Sequence, residues 1–286
     1  MTHPGVLLKR ENLYAGKELG QNFLSDPGTA QMIVERTGVS ATDKVMEIGP
    51  GLGALTVHIA RKSSDLTVVE KDRRLVPLLA EELEGQGIET VTILNQDILR
   101  TDFEAIAQGQ KMVVIGNLPY NISSQILFRM IKHRSLVDKA FFMFQKELAD
   151  RIRSGPGTKA YSRLSAVVQY AAEINHVADI KPSAFFPRPD VDSSVLSFSF
   201  NKERDMDEAM EDLLFDVIKA AFSKRRKSLK NAMVGGEMGW KKPMVVAALE
   251  SAGIKPERRA ETLEVAEFKA LARAVHSLLD TGEAAG

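Results

Sequence analysis

The sequence predicts an α/β fold: an open, mostly parallel sheet with an antiparallel strand near its end, followed by a small all-helical domain. Three observations carry this expectation. Short apolar runs at Lys44–Ile48, Leu66–Val69, Val91–Asn95, Lys111–Ile115 and Ala140–Phe144 are separated by stretches of helical length, the rhythm of strand–helix–strand units. Gly49, Glu70, Asp97 and Asn117 fall in turn at the carboxyl ends of these runs, the edge at which open α/β sheets bind ligands. After Asp205 the strand signal stops and helical periodicity takes over, which divides the chain into domains 1–205 and 206–286.

In chain order, Met1 to Glu11 is polar and lacks an apolar signal core. Lys17–Leu24 reads as an arm in which Phe23 and Leu24 pack down while the amides of Gln21 and Asn22 close over a small ligand. Ser25-Asp26-Pro27 then opens a helix through about Thr37. The first strand runs into Gly49-Pro50-Gly51-Leu52-Gly53, where glycines permit positive φ and let a ligand approach the backbone. Glu70, about 20 residues past this turn, is placed to accept both hydroxyls of a ribose. Gly49, Gly51 and Ala54 also satisfy the dinucleotide pattern, so a nicotinamide enzyme is an alternative at this point. Against it, Pro50 removes one backbone donor for a pyrophosphate, and a dehydrogenase has no use for the next motif.

That motif is Gly116-Asn117-Leu118-Pro119-Tyr120, directly after a buried strand. Pro119 biases Leu118 to an extended conformation, so two carbonyls stand outside any regular ladder beside an amide and an aromatic ring. An exocyclic amino group on a base is the natural guest: Asn117 Oδ1 and the Leu118 or Pro119 carbonyl accept its two hydrogens, and Tyr120 offers a stacking face. Phe185, in the proline-stiffened loop Lys181–Pro189 beside Arg188, is the expected second wall facing Tyr120. A helix Ser162–Ala172 precedes two strands near His176–Ile180 and Ser194–Phe200, the second alternating as a half-buried antiparallel strand does. His58 and His176 are read as structural, in apolar helix and strand contexts.

The chain has 38 basic and 38 acidic residues, so affinity for nucleic acid has to come from local clusters. The densest is Lys224-Arg225-Arg226-Lys227 with Lys230, at the end of a helix lined by Phe215, Val217, Ile218 and Ala221, and it suits phosphate contacts. Pro243–Ala252 and Val265–Leu279 read as two more amphipathic helices, and Thr281–Gly286 as a frayed tail. The absence of cysteine excludes disulfides, thiolate metal sites and thiol nucleophiles; no metal is expected. No run is long enough to span a bilayer, and a cytoplasmic location is the expectation.

Taken together, Gly20-Gln21-Asn22-Phe23-Leu24, Glu47-Ile48-Gly49-Pro50-Gly51, Gly116–Ser123, Pro182–Phe185 with Val191-Asp192-Ser193, and Arg225-Arg226-Lys227 resemble the ribosomal RNA adenine N6,N6-dimethyltransferase family, most closely its bacterial small-subunit members. Leu19 and Ser162 depart from it, where Phe and Gly are usual. The resemblance implies a Rossmann-like class I methyltransferase sheet and S-adenosylmethionine as methyl donor. By position, Gln21, Asn22 and Leu24 would cover the cofactor, Gly49 and Gly51 would lie along it, and Glu70 would hold the ribose. Asp97 and Ile98 would hold its adenine, with Asn117 shared between cofactor and target. Asn117, Leu118, Pro119, Tyr120 and Phe185 would form the catalytic pocket, and Arg188, Lys224, Arg225, Arg226, Lys227 and Lys230 would bind RNA. The implied substrate is two adjacent adenosines in the 3′-terminal hairpin loop of small-subunit rRNA within an assembling 30S particle, acted on by a monomer. Two rivals stay open: a ribosome-assembly or transcription factor using the fold only to hold nucleic acid, and a large-subunit rRNA adenine methyltransferase sharing the pocket.

Overall fold

A computed structural model describes residues 2–16, 20–200 and 205–281. Lys17, Glu18 and Leu19 of the arm, Asn201–Arg204 before the expected boundary, and tail residues 282–286 lie outside the described residues. By internal contacts the chain forms two compact units, Met1–Ala149 with Ala172–Asn201, and Asp150–Ala171 with Lys202–Gly286. The contiguous domain expected over 1–205 therefore gives up an internal segment, Asp150–Ala171, to the helical unit.

The first unit opens with helix α1 (Pro4–Arg10), which the polar look of Met1–Glu11 concealed. His3 Nδ1 caps it by accepting from Gly5 N at 3.1 Å, and Leu7 and Leu8 are buried against Phe23, Leu52, Leu75 and Leu78. Strand β1 (Phe23–Leu24) leads to α2 (Pro27–Thr37), with Pro27 at its first position. Asp26 caps it, accepting from Thr29 N at 2.8 Å, while Ser25 N turns outward from the helix to donate to Ala184 O at 2.7 Å. Then come β2 (Lys44–Ile48), α3 (Thr56–Ala60), β3 (Asp65–Glu70), α4 (Val76–Gly85), β4 (Val91–Asn95), α5 (Phe103–Ala107), β5 (Met112–Asn117), α6 (Ser123–Lys132) and β6 (Val137–Gln145).

Helix α7 (Lys146–Arg153) carries the chain from the first unit into the second, and α8 (Arg163–Ala171) brings it back to β7 (Glu173–Ile180), β8 (Phe185–Phe186) and β9 (Ser193–Ser199). The main sheet has seven strands in the order β4-β3-β2-β5-β6-β9-β7. β4 through β6 run parallel, and β9 is antiparallel to both neighbours. Parallel strands covered on both faces bury continuous apolar runs, and every residue of β2 is buried, Glu47 included. At the other edge, β7 leaves His176 exposed with its Nε2 3.0 Å from Asp179 Oδ1, so the apolar setting expected for this histidine is not present. A bulge at His176/Ala178 is part of the reason, since it re-aims the side chains of an edge strand. His58 in α3 is half-buried. A second, two-stranded sheet pairs β1 with β8 antiparallel, Phe23 opposite Phe186 and Leu24 opposite Phe185.

The second unit joins α8 to α9 (Glu208–Ala221), α10 (Leu229–Ala232), α11 (Lys242–Ser251) and α12 (Val265–Asp280). Its core includes Leu214, Leu249, Leu263, Phe268 and Leu271, all fully buried, with Phe222 packed against both Phe268 and Tyr161 at 5.9 Å between ring centroids. Among the described residues no helix is long and apolar enough to cross a membrane.

Candidate active site

β2 lies between β3 on one side and β5 on the other, so the chain leaves it in opposite directions and a crevice opens at the carboxyl ends. A cleft holding about 1100 Å³ of empty space, part of it open to solvent, sits there, and its walls come from the arm, the glycine turn, β3, β4 and the β5–α6 loop. Gly49, Gly51 and Gly53 all have positive φ (67°, 57° and 89°), which takes the backbone round the cleft floor at a turn that side chains with a Cβ strain to adopt. At Gly51 an added Cβ would also meet the Phe23 ring at 3.0 Å, so arm and turn fit only with hydrogen at this position.

The Glu70 carboxylate is buried at the end of β3 and held by backbone donors: Gly51 N reaches Oε2 at 3.0 Å and Asp72 N reaches Oε1 at 2.7 Å. Burial pushes its pKa up, and the Asp72 and Gly51 amides oppose that rise. Asn95 Nδ2 donates to the Glu70 carbonyl at 2.8 Å and ties β4 to the same point. Gln96 and Ile98 line the cleft, with Ile98 an apolar wall. Asp97 does not reach the lining; its carboxylate pairs with Lys71 Nζ at 2.8 Å and accepts from Leu99 N at 3.0 Å, and the Lys71 bond holds its pKa below the usual range.

Across the cleft, Asn117 Nδ2 donates to the Asn22 carbonyl at 2.9 Å. That bond fixes the amide rotamer, and its Oδ1 has no protein partner among the described residues. The Pro119 carbonyl is already engaged by Ser123 Oγ at 2.8 Å and Ile122 N at 3.2 Å, so of the two carbonyls expected to be available the open one is Leu118 O. Tyr120 lines the cleft half-buried, its hydroxyl 3.3 Å from Ser193 Oγ, and burial raises its pKa.

Phe185 is placed differently from the expectation of a wall facing Tyr120. Its pairing with Leu24 in the small sheet draws the ring into the core, 4% exposed, and it is absent from the cleft lining. The neighbouring Phe186 is the exposed one, packed edge-on to His3 at 5.4 Å. Of the arm, Gln21, Asn22 and Leu24 all line the cleft, yet the Gln21 amide is committed inside the protein: Oε1 accepts from Gly16 N at 2.7 Å and Nε2 donates to Asp72 Oδ2 at 3.0 Å.

Two acidic residues were missed by sequence reasoning. Glu47 lines the cleft 1% exposed, and its Oε2 has no hydrogen-bond partner among the described residues. Burial drives its pKa up to about 8; the nearby Thr56 hydroxyl opposes the rise without closing a hydrogen bond on Oε2. A carboxylate inside the apolar run Val45-Met46-Glu47-Ile48 was the signal for it. Asp72, two residues past Glu70, is buried, and hydrogen bonds from Arg74 chiefly, then Gln21, hold its pKa down to about 2.

The basic residues expected to meet RNA lie on exposed backbone. Lys224, Arg225, Arg226 and Lys227 are all exposed in the loop between α9 and α10. Arg225 donates to the Lys159 carbonyl at 2.6 Å, Lys224 Nζ lies 3.4 Å from the Asn231 carbonyl, and half-buried Lys230 pairs with Glu257 at 2.7 Å. Arg226 and Lys227 make no ion pair among the described residues, and neither does exposed Arg188.

A parallel sheet whose strand order reverses at its centre, a glycine turn against an acidic strand end and an amide motif opposite together define a class I methyltransferase. The ribosomal RNA adenine dimethylase profile matches residues 13–274, and the chain belongs to that family. It is 51% identical over 278 residues to ribosomal RNA small subunit methyltransferase A of Desulforapulum autotrophicum, covering 97% of this chain and 98% of the relative. With the protein of the same name from Magnetococcus marinus it is 39% identical, over 95% of this chain and 97% of that one. Among solved structures, a dimethyladenosine transferase from Plasmodium falciparum superposes with a TM-score of 0.75 at 25% identity, covering 91% of this chain and 98% of that one. The 23S rRNA methyltransferase ErmE shares the fold, with a TM-score of 0.66 at 23% identity over 89% of this chain and 100% of its own.

Proposed function

We propose that this protein uses S-adenosylmethionine to methylate N6 of two adjacent adenosines in the 3′-terminal hairpin loop of small-subunit rRNA, each twice, in the assembling subunit in the cytoplasm. Family membership and relatives named as small-subunit methyltransferases support the substrate class. The observation that carries the chemistry is the Asn117 amide, whose nitrogen is spent on Asn22 O and whose oxygen is left as an acceptor in the cleft.

The cleft fits the cofactor on its own chemistry. Glu70 supplies a buried acceptor for ribose hydroxyls, Ile98 and Gln96 an apolar and amide surface for a purine, and the unpartnered Glu47 oxygen a site for a cationic amine. When bound, S-adenosylmethionine supplies a methyl group on an electrophilic sulfonium.

The residues of the chain do the rest. An N6 nitrogen conjugated with its purine is a poor nucleophile until its lone pair turns out of the ring system. Asn117 Oδ1 and Leu118 O, by accepting the two N6 hydrogens, favour that geometry. Pro119 O does not share the task, because it closes the first turn of α6. Tyr120 holds the ring of the extruded base, offsetting an unstacking cost of a few kcal/mol with roughly 1–3 kcal/mol of stacking. None of these residues has to act as a base, since the alkylated nitrogen is acidic enough to lose its proton to water. Positioning accounts for most of the acceleration, up to roughly 7–11 kcal/mol for well-oriented reactants. For the second transfer only one N6 hydrogen remains, so one acceptor suffices and the methyl lies against loop residues rather than packed core.

The test is to incubate the purified protein with small subunits lacking dimethyladenosine and labelled S-adenosylmethionine, then map the modified bases. Dimethyladenosine at two neighbouring positions of the 3′-terminal loop is expected. Label at other positions, or cofactor bound without transfer to RNA, would overturn the assignment.

A further inference from the structure

The carboxylate of Asp72 stands where the arm meets the strand end that carries Glu70. Its backbone N–H donates to Glu70 Oε1 at 2.7 Å. Its own Oδ2 accepts from Gln21 Nε2 at 3.0 Å, and Gln21 Oε1 accepts in turn from Gly16 N at 2.7 Å. Arg74 pins the carboxylate from the other side, Nε on Oδ1 at 2.9 Å and Nη2 on Oδ2 at 2.6 Å. Asp72 is 6% exposed while the Arg74 side chain is 46% exposed, so this is a partly buried, charge-assisted junction with its carboxylate on the inner side. Both ends of the Gln21 amide are thereby held by the protein. Its amide is the catch that closes the arm over the cleft.

We propose that Asp72 is a positioning residue for the cofactor: its side chain holds the arm through Gln21, at the same residue whose backbone N–H holds the Glu70 carboxylate. The proposal rests on the reading of the cleft as the S-adenosylmethionine site. It goes further in assigning the affinity of the cleft to a residue that does not touch the ligand. Residues 20–24 line the cleft on one side and Glu70 on the other, and Asp72 meets both, with its carboxylate on Gln21 and its backbone N–H on Glu70. An arm released from Asp72 loses its hold on the loop at Gly16 as well, because both bonds run through one amide.

The test uses the full-length protein, S-adenosylhomocysteine binding by calorimetry, and amide hydrogen exchange of residues 20–24 without any ligand. Asp72→Ala and Gln21→Ala are each expected to weaken binding by about tenfold, the scale of one buried hydrogen bond to a charged group. The double variant is expected to weaken binding by clearly less than the product of the two single effects, since both remove the Gln21–Asp72 bond. Exchange at residues 20–24 should quicken in both, and Arg74→Ala, which leaves the arm contact in place, should move both readouts less. If Asp72→Ala does not fold, Gln21→Ala with the exchange measurement carries the test. Affinity within twofold of the parent, additive effects, unchanged exchange, or an Arg74→Ala effect equal to that of Asp72→Ala would each overturn the proposal. A parent protein that binds no S-adenosylhomocysteine would instead overturn the cofactor reading on which it stands.

Discussion

The cleft and the basic loop are both rich in polar side chains, but they hold them in opposite ways. In and behind the cleft, Glu70, Asp72 and Asn117 are buried or half-buried and each is fixed by a hydrogen bond to or from the backbone at 3.1 Å or less. In the loop Lys224–Lys227 the cations are exposed, and those that have partners mostly use carbonyls of neighbouring turns. Preorganised groups act strongly one by one, whereas exposed cations act together and through a salt-screened field. Chemistry and RNA capture should therefore answer to different kinds of damage.

The sharpest break in that contrast would be at Asn117. Asn117→Ala is expected to lower turnover by about 10²–10³-fold, as for loss of one preorganised polar group, while cofactor affinity changes little. Near-normal single-turnover rates would refute the acceptor role. Next in size, Glu70→Ala removes the acceptor for Gly51 N and Asp72 N together, and S-adenosylhomocysteine binding should weaken by about 10–100-fold, with RNA binding unchanged in a filter assay.

In the loop, reversing Arg226 and Lys227 to Glu should reduce the log–log salt slope of RNA binding by about one unit per lost phosphate contact. Lys230→Ala should change it less, because Glu257 already neutralises that charge. Equal effects at all three positions would erase the distinction between paired and unpaired cations.

The smallest effect tests burial inside the cleft. Glu47 has a folded-state pKa raised from 4.5 to about 8, so the fold binds more protons than the unfolded chain between those values. Stability from the neutral form is fully present below about pH 4.5 and is lost as pH rises toward 8. Glu47→Gln, permanently neutral, should match the parent's melting temperature near pH 4.5 and exceed it by a few degrees at pH 8.5. A difference independent of pH would mean that Glu47 does not titrate in this range.

Much of this was legible in the chain. Strand ends announced Gly49, Glu70 and Asn117 because a parallel sheet puts side chains of that edge into one crevice whatever the packing elsewhere. Phe185 and Phe186 could not be told apart, since alternation along a two-residue strand decides which ring is buried and the pairing with β1 is non-local. The same holds for α1, whose two leucines become core only against Leu52, Leu75 and Leu78. Asp97 looked like a cleft residue by register; the Lys71 ammonium diverts its carboxylate. The domain boundary was drawn from composition, which cannot show that Asp150–Ala171 leaves one unit and packs in another.

The pairing of β1 with β8 joins residue 23 to residue 186, and Ser25 to the carbonyl of Ala184. A ribosome delivers these partners far apart in time. Until the later strand emerges, the earlier one has no partner strand, and the arm rests on its bonds to Asp72 and Asn117 and on the packing of Phe23. The last fastening of the cleft's front thus arrives late in the protein's own synthesis, and a chain ending before Ala184 should hold its arm less firmly than the whole one.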